Sequence, residues 1–351
     1  MRKYIAISVL FFCAAALFVS STNAGMAWLT KQRYAPDAIL GSDKYTYGDL
    51  FGISYLPAFK KVKDTSPVSL PVLSAAEKDI SLYVIGDSYF YSSFEQVPDY
   101  FERTKALTFF MWDDRPLQFF KLPKDSTRKV LLIECVERNV LNVVNSQRVQ
   151  AVFELPVQES PKPWVGRLND VIREILYHPT LEENLSFALF DTSIFSFFKE
   201  LKASFNQAVF GRSPSGVVLS ESYDFLYLEQ TVDTTAIGSS FKAVSDESYR
   251  DLLQQMKSID SYAKRIGFDE VVFSFIPNPS SVLLTEGMAY NQFVPEVARM
   301  AGSDLRVLDP TQALSKNAKA NFFHNDSHWN KKGAQIWLAL LNERLLSLPK
   351  K

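Results

Sequence analysis

The chain contains 351 residues, of which 47% are hydrophobic, and its 38 basic and 39 acidic side chains give a formal net charge of −1. That hydrophobic content is enough for a large buried core and excludes a disordered or fibrous protein. Because no cluster of lysine or arginine stands out in the sequence, the basic surface that grips a phosphate backbone is missing, and nucleic acid is not expected as a partner.

The N-terminus has the layout of a targeting segment. Arg2 and Lys3 precede a stretch without charge over 4–30, whose most apolar part is 5–19. This pattern is typical of a signal peptide over 1–24, and an uncleaved N-terminal membrane anchor is the alternative. Both forms predict an exported protein.

The next segment, 25–78, carries many turn formers and aromatic residues without sustained periodicity. Gly52, Pro57, Pro67 and Pro71 interrupt it. We expect an irregular N-terminal arm that packs on a single domain over 79–351.

From residue 79 onward the pattern changes to short apolar runs that alternate with helical spacing. The runs predict strands at 81–85, 105–111, 129–135, 270–276 and 305–309. The clearest helical patterns cover 246–265 and 331–347. Strands that alternate with helices favour the α/β class, a three-layer α/β/α sandwich with a mainly parallel sheet.

A long segment, 140–245, separates the third strand from the fourth, which is too long for an ordinary crossover. We interpret it as an insertion. Its first part contains helix-like segments at 166–177 and 181–207, and the alternating run 217–232 resembles a hairpin.

The first motif that carries chemistry is Gly86-Asp87-Ser88. It follows an apolar strand and leads into an aromatic, helix-like segment, which places Ser88 at the carboxyl edge of the sheet. Backbone N–H groups at such a strand-to-helix turn can hold a developing oxyanion. Gly-Asp-Ser alone is a weak signal, and its alternative reading is a serine that caps a helix.

The second motif is Asp326-Ser327-His328-Trp329-Asn330, close to the C-terminus. A serine hydroxyl needs a neighbouring imidazole to take its proton and a third group to orient that imidazole. His328 has a carboxylate two residues before it that can fold back onto its ring. The two motifs together predict Ser88 as nucleophile, His328 as general base and Asp326 as its orienting group.

Other polar residues follow the predicted strands and join this edge in an open α/β sheet. Arg138 and Asn139 come after the third strand, and Asn278 after the fourth. We name these three as candidates for the oxyanion hole or for positioning the substrate. Arg138 can equally pair with a nearby glutamate, and Asn278 can merely shape a turn between two prolines.

The string His324-x-Asp326-x-His328 also offers three possible metal ligands. No further histidine or cysteine is placed in the sequence to complete a first shell, and a metal would leave the serine motif unexplained. We therefore expect neither a metal nor a cofactor.

The two motifs resemble the SGNH (GDSL-type) serine hydrolases. Together with the segment 134–138 (Glu-Cys-Val-Glu-Arg) and Gly333, they look most like the SGNH-like domain of alginate O-acetyltransferases and related bacterial exopolysaccharide acetylation proteins. The resemblance covers about 80–351, with the insertion unmatched. It implies an SGNH hydrolase-like fold and the same three catalytic residues, and Arg138 matches the arginine of the family's Glu-Arg pair.

Three features separate this chain from the alginate acetyltransferases or from the GDSL esterases. In the alginate acetyltransferases the Asp-x-His motif precedes the serine motif, whereas here it comes last, as in GDSL esterases. The superfamily's separate oxyanion-hole glycine and asparagine are not obvious. The spacing of two between Asp326 and His328 agrees with the acetyltransferases and differs from the esterases.

The resemblance implies serine-dependent transfer of an acyl group, most readily acetyl, on carbohydrate, in the periplasm or cell envelope of a bacterium. The chain would act as a polysaccharide O-acetyltransferase or as an acetylesterase, with a polysaccharide substrate, an acyl donor that the sequence does not identify, and partners in an envelope polysaccharide assembly. The alternative is a noncatalytic carbohydrate-binding or envelope-assembly protein that retains the fold.

Overall fold

The computed structural model describes residues 2–33, 41–95, 97–112, 122–153, 181–212, 214–283 and 287–350. The chain divides into two compact units. The first combines Met1–Lys63 with Val157–Val217, and the second combines Asp64–Pro156 with Val218–Lys351.

The second unit is built on a five-stranded sheet in which all the pairings are parallel, in the order β2-β1-β3-β6-β7. A separate two-stranded sheet joins β4 to β5. The strands are β1 Ile80–Gly86, β2 Thr104–Met111, β3 Arg128–Val136, β4 Val217–Leu219, β5 Leu226–Leu228, β6 Glu270–Ile276 and β7 Arg306–Leu308.

The described helices vary from one turn to six. They are α1 Arg2–Ser21, α2 Asn23–Arg33, α3 Asp43–Tyr47, α4 Asp49–Ser54, α5 Ser88–Phe94, α6 Val140–Val143, α7 Ser146–Phe153, α8 Leu181–Phe190, α9 Ser196–Phe210, α10 Glu229–Val232, α11 Asp246–Ile266, α12 Pro279–Leu283, α13 Phe293–Ala301, α14 Thr311–Ser315 and α15 Lys331–Ser347. Short 3-10 turns lie at Pro57–Phe59, Pro98–Tyr100, Glu137–Asn139, Ser193–Phe195 and Ala318–Ala320.

Helices cover both faces of the five-stranded sheet. Because successive strand residues point to opposite faces, each strand feeds two cores. Leu82 and Val84 pack with α5 and α15 on one face, whereas Tyr83 and Ile85 pack with α7, α11 and α13 on the other. This is the α/β class with a mainly parallel sheet that the sequence predicts.

The elements of the second unit lie close to their predicted positions. The five main strands agree within two residues at each end, α11 ends one residue later than predicted, and α15 matches 331–347. The predicted hairpin over 217–232 contains the β4–β5 pair followed by α10.

Three further predictions differ from the structure or fall outside the described residues. The predicted helix 181–207 is two helices, because Thr192 adopts an extended backbone and a 3-10 turn follows before α9 begins. The arm 25–78 is less irregular than expected, since it contains most of α2 and all of α3 and α4. The predicted helix 166–177 lies outside the described residues.

The N-terminal helix α1 is long and apolar enough to cross a membrane, judged by length and composition alone. A signal sequence passes the same test, so both interpretations of the N-terminus stand.

The order of the five strands locates a crevice in the second unit. From β1 the chain moves to one edge of the sheet at β2 and then returns to β3 on the other side of β1. In open parallel sheets such a reversal opens a cleft beyond the carboxyl ends of the two strands concerned. Ser88 follows β1 and Arg138 follows β3, so both belong to this switch point.

Candidate active site

Ser88 lies at the turn between β1 and α5, as predicted, and its side chain is exposed. Asp87 caps the helix: its Oδ1 accepts a hydrogen bond from the Tyr89 N–H at 2.9 Å, and its Oδ2 accepts one from the Val136 N–H at 2.8 Å. The same side chain therefore fixes the helix start and joins the end of β1 to the end of β3.

Gly86 allows this turn to approach the neighbouring strand. A Cβ at this position would lie 2.6 Å from Oε2 of Glu134, which in turn accepts a hydrogen bond from the Asp87 N–H at 2.9 Å. Only a residue without a side chain leaves room for that carboxyl group.

A closed loop before α15 carries His328. The loop is pinned at its base, where Phe322 bridges Trp329 and the Asn330 N–H donates to the Asn321 carbonyl at 3.0 Å. The Asn330 side chain caps α15 by accepting from the N–H groups of Lys332 and Gly333. Gly333 has to be small because a Cβ there would lie 2.3 Å from the Asn321 carbonyl oxygen.

The two motifs, 240 residues apart, meet in a hydrogen-bonded chain. Ser88 Oγ lies 2.8 Å from Nε2 of His328, and His328 Nδ1 lies 2.6 Å from Oδ1 of Asp326. The carboxylate can only accept, so the ring proton sits on Nδ1 and Nε2 is left to accept the serine proton. Solvent exposure of the side chains decreases along this hydrogen-bonded series: Ser88 is exposed, His328 is half-buried and Asp326 is buried.

Aromatic side chains hold the imidazole in place. The Tyr89 ring lies 4.7 Å from the His328 ring between centroids and 5.2 Å from Trp329, and the Tyr89 hydroxyl donates to the Ser327 carbonyl. The buried Trp329 donates through Nε1 to Ser93 Oγ at 2.8 Å. The histidine loop is thus joined to α5, the helix that begins at the nucleophile.

Glu134 supports the serine turn from inside the sheet. It is fully buried on β3, and burial followed by the nearby charge of Asp87 raises the pKa of its carboxyl well above the usual range. Burial and the nearby Asp87 therefore both favour the neutral form of Glu134 over the charged form. The two sequence motifs predict no role for Glu134 or Tyr89, although a glutamate inside an apolar strand is itself an unusual signal.

Asn278 is placed beside the end of β3 but points into the protein. Its backbone N–H donates to Oε2 of Glu137 at 2.8 Å, and its side-chain Nδ2 faces the Gly238 carbonyl and Ser240 Oγ, both at 3.3 Å. Ser281 also donates to Glu137 Oε2. Asn278 therefore belongs to a buried polar cluster around Glu137, which ties the ends of β3 and β6 together.

The other two positioning candidates stay near the crevice. Arg138 is half-buried, and its guanidinium carbon lies 5.7 Å from the centre of the Tyr89 ring, which places it beside the residue that supports His328. Asn139 is half-buried at the N-terminus of α6.

His324 and Cys135 are used elsewhere. The His324 ring stacks on Phe225, and its Nδ1 lies 2.7 Å from the Asp224 carbonyl oxygen. Its ligand atoms do not gather with those of Asp326 and His328 among the described residues. Cys135 is buried in β3, and burial raises the pKa of its thiol well above the usual value, which makes it a poor nucleophile.

A cavity of about 510 Å³ opens beside Glu137, and none of the three triad residues lines it. Its walls come from α6, α11 and the segment 237–245, and include Asn142, Asn145, Lys242 and Gln255. Its lining mixes these polar side chains with apolar ones such as Leu141 and Phe293, and the cavity lies next to Glu137, with no triad residue in its walls.

Because Glu137 is buried, we expect the free energy of unfolding to depend on pH. Burial raises the pKa of its carboxyl to about 7, from an ordinary value of 4.5. Between these values the unfolded chain loses a proton that the folded protein keeps, so this contribution to stability is complete below pH 4.5 and falls as the pH rises through 7. As the pH rises from 4.5 to 8, the free energy of unfolding of Glu137→Gln is expected to increase by up to about 3 kcal/mol relative to that of the wild type.

Urea unfolding of both proteins at several pH values measures this difference. Glu247→Gln, which removes an exposed carboxyl from α11, is the matched control and should parallel the wild type. If the wild type instead becomes more stable relative to Glu137→Gln as the pH rises, the pKa of Glu137 is not raised in the folded protein.

Comparison of the chain with protein-family models, with curated proteins and with solved structures finds no match in any of the three.

Proposed function

We propose that this protein is an exported serine enzyme that transfers an acyl group, most readily acetyl, on carbohydrate. The observation that carries the proposal is the continuous contact from Ser88 Oγ through both ring nitrogens of His328 to Asp326, at 2.8 and 2.6 Å. A buried carboxylate, an oriented imidazole and an exposed hydroxyl are the three parts that serine nucleophilic catalysis needs.

In the first half of the reaction, Ser88 Oγ attacks the acyl carbonyl carbon while His328 Nε2 takes the hydroxyl proton. The tetrahedral intermediate collapses when its bond to the leaving oxygen breaks and the imidazolium returns the proton to that oxygen. The acyl group is left as an ester on Ser88. Asp326 stays ionised and stabilises the imidazolium that forms in between.

The oxyanion of the tetrahedral intermediate needs donors near Ser88. We assign the Ser88 backbone N–H to this role, because the first N–H groups of a helix have no partner within the helix. Arg138 and Asn139 follow β3 across the same switch point and are proposed to position the acyl group or its carrier. Asn278 is proposed to hold the end of β6 instead, because its side chain is engaged in the buried cluster.

In the second half, an acceptor hydroxyl gives its proton to His328 Nε2 and attacks the acyl carbon. The bond from that carbon to Ser88 Oγ then breaks, and the imidazolium returns the proton to Oγ, which restores the free serine. A sugar hydroxyl as acceptor makes the protein an O-acetyltransferase, and water makes it an acetylesterase. A polysaccharide substrate and a role in envelope polysaccharide assembly are supported by the resemblance in the two motifs and by the apolar N-terminal helix.

The test combines covalent labelling with an acyl-transfer assay on the purified, folded chain. A fluorophosphonate should label Ser88, with less labelling in His328→Ala. A chromogenic acetyl ester should release its dye, and an added oligosaccharide should gain acetyl groups if the protein is a transferase. Folded protein that neither labels nor releases dye would favour a noncatalytic carbohydrate-binding or assembly protein.

A further inference from the structure

The helix α9 exposes its apolar face, whereas an amphipathic helix of a soluble protein usually buries that face. Its large apolar side chains point outward, with exposed fractions of 68% for Phe197, 66% for Phe198, 59% for Leu201 and 57% for both Phe205 and Val209. The residues of the same helix that are buried are Ser196 and Ala203. The five exposed apolar residues follow one another at spacings of three and four, which places them on one stripe of the helix.

Polar contacts hold α9 to the first unit on its opposite side. Ser196 donates to Asp43, Glu200 pairs with Lys60 at 2.6 Å, and Lys199 donates to the Tyr55 hydroxyl at 2.8 Å. These three contacts lie in the first five residues of the helix, and the buried Ala203 continues the same side one turn later. The apolar stripe therefore faces away from the side that contacts the unit.

The outward stripe is large. An aromatic side chain carries roughly 150–250 Å² of surface, so five side chains exposed by more than half present on the order of 500 Å². Phe190, Ile194 and Phe210, each more than half exposed, extend it at both ends. A surface of this size marks an interaction site or a membrane contact rather than ordinary scatter.

The same unit contains the N-terminal apolar helix. Near the end of α1, the buried Ser20 offers its carbonyl to Asn184 Nδ2 on α8 at 2.8 Å, and the buried Arg33 of α2 donates to the carbonyls of Phe187 and Ala188 at 2.8 and 3.0 Å. The helix that precedes α9 is therefore attached to the C-terminal end of the possible membrane span.

We propose that the outward stripe of α9, with Phe190, Ile194 and Phe210, rests in the interface of the lipid bilayer that holds α1 as an uncleaved anchor. Charge supports lipid as the occupant, because Lys202 and Arg212 are exposed near the stripe, where they can reach anionic headgroups. An amphipathic helix with aromatic and leucine side chains on one face and lysine beside them suits this location.

The experiment measures depth in the full chain, reconstituted into vesicles of phosphatidylethanolamine and phosphatidylglycerol. Cys13→Ser removes the exposed thiol, and Cys135 stays because it is buried. Nitroxides are then attached in turn to Leu201→Cys, Phe205→Cys and Gln207→Cys, the last on the opposite side of the helix, with Asp251→Cys on the exposed side of α11 as the water control.

Oxygen and a water-soluble nickel chelate report the depth of each label. The labels at 201 and 205 should be protected from the nickel chelate and lie about 5–10 Å below the headgroups, with the label at 207 shallower. If the labels at 201 and 205 are as accessible to the chelate as the label at 251, the bilayer is not the occupant and the proposal fails. Because these outcomes do not depend on turnover, they are independent of the acyl-transfer proposal.

Discussion

Ser88→Ala is expected to abolish fluorophosphonate labelling and to lower kcat/KM for a chromogenic acetyl ester by a factor on the order of 10⁴–10⁶. The hydroxyl is the atom that forms the acyl ester, so its loss leaves only binding and the oxyanion donors to assist direct attack by water. The side chain is exposed, so the variant should unfold at the same temperature as the wild type.

Ser92 offers a matched control for this result. It is an exposed serine on the same helix α5, one turn after Ser88, and the described contacts do not join it to His328. Ser92→Ala should keep full labelling and full activity. Equal labelling of Ser88→Ala and Ser92→Ala would show that the probe reacts elsewhere, and the proposed nucleophile would be wrong.

The sequence predicted the contact between Ser88 and His328 because parallel strands impose a direction. Each strand of such a sheet ends at the same edge, so the loops that follow them must gather there. Local patterns located the strands, and the motifs located the polar residues, so no long-range information was needed. The spacing of two between Asp326 and His328 also has a local reason: Oδ1 of Asp326 accepts from both the backbone N–H of His328, at 3.0 Å, and its ring.

Side-chain direction was harder to predict. Asn278 follows β6 at the expected edge, yet its side-chain amide turns inward, where it donates to the Gly238 carbonyl and Ser240 Oγ. Its backbone N–H donates to the buried Glu137. Glu134 sits in a run of apolar residues, and its role as acceptor for the Asp87 N–H depends on the register between β1 and β3. Neither feature has a signal in residue spacing, because each arises from packing between distant segments.

The outward direction of the α9 stripe could not be predicted from the sequence either. Helical spacing shows that the apolar residues share a face, and the ordinary rule turns that face inward. Here the inward face is the polar one, because Asp43, Tyr55 and Lys60 supply its partners from the N-terminal arm. The direction of an amphipathic helix follows from what surrounds it.

Asp326→Asn is expected to lower kcat by a factor of about 10²–10⁴ while leaving labelling slow but measurable. The amide has almost the same shape and can still accept from the backbone N–H and ring Nδ1 of His328. It carries no charge, however, so the imidazolium that forms when Ser88 gives up its proton loses its stabilising partner. Asp304→Asn, which neutralises an exposed aspartate of the same unit, controls for general charge loss.

A double variant separates a catalytic role of Asp326 from a merely structural one. If Ser88, His328 and Asp326 act as one unit, Ser88→Ala with Asp326→Asn should have the same residual activity as Ser88→Ala alone, because the carboxylate acts only through the serine. A further drop in the double variant, matched by a lower unfolding temperature, would instead mean that Asp326 chiefly holds the loop together. Full activity of Asp326→Asn would remove the carboxylate from the mechanism, since the ring would then be oriented without its charge.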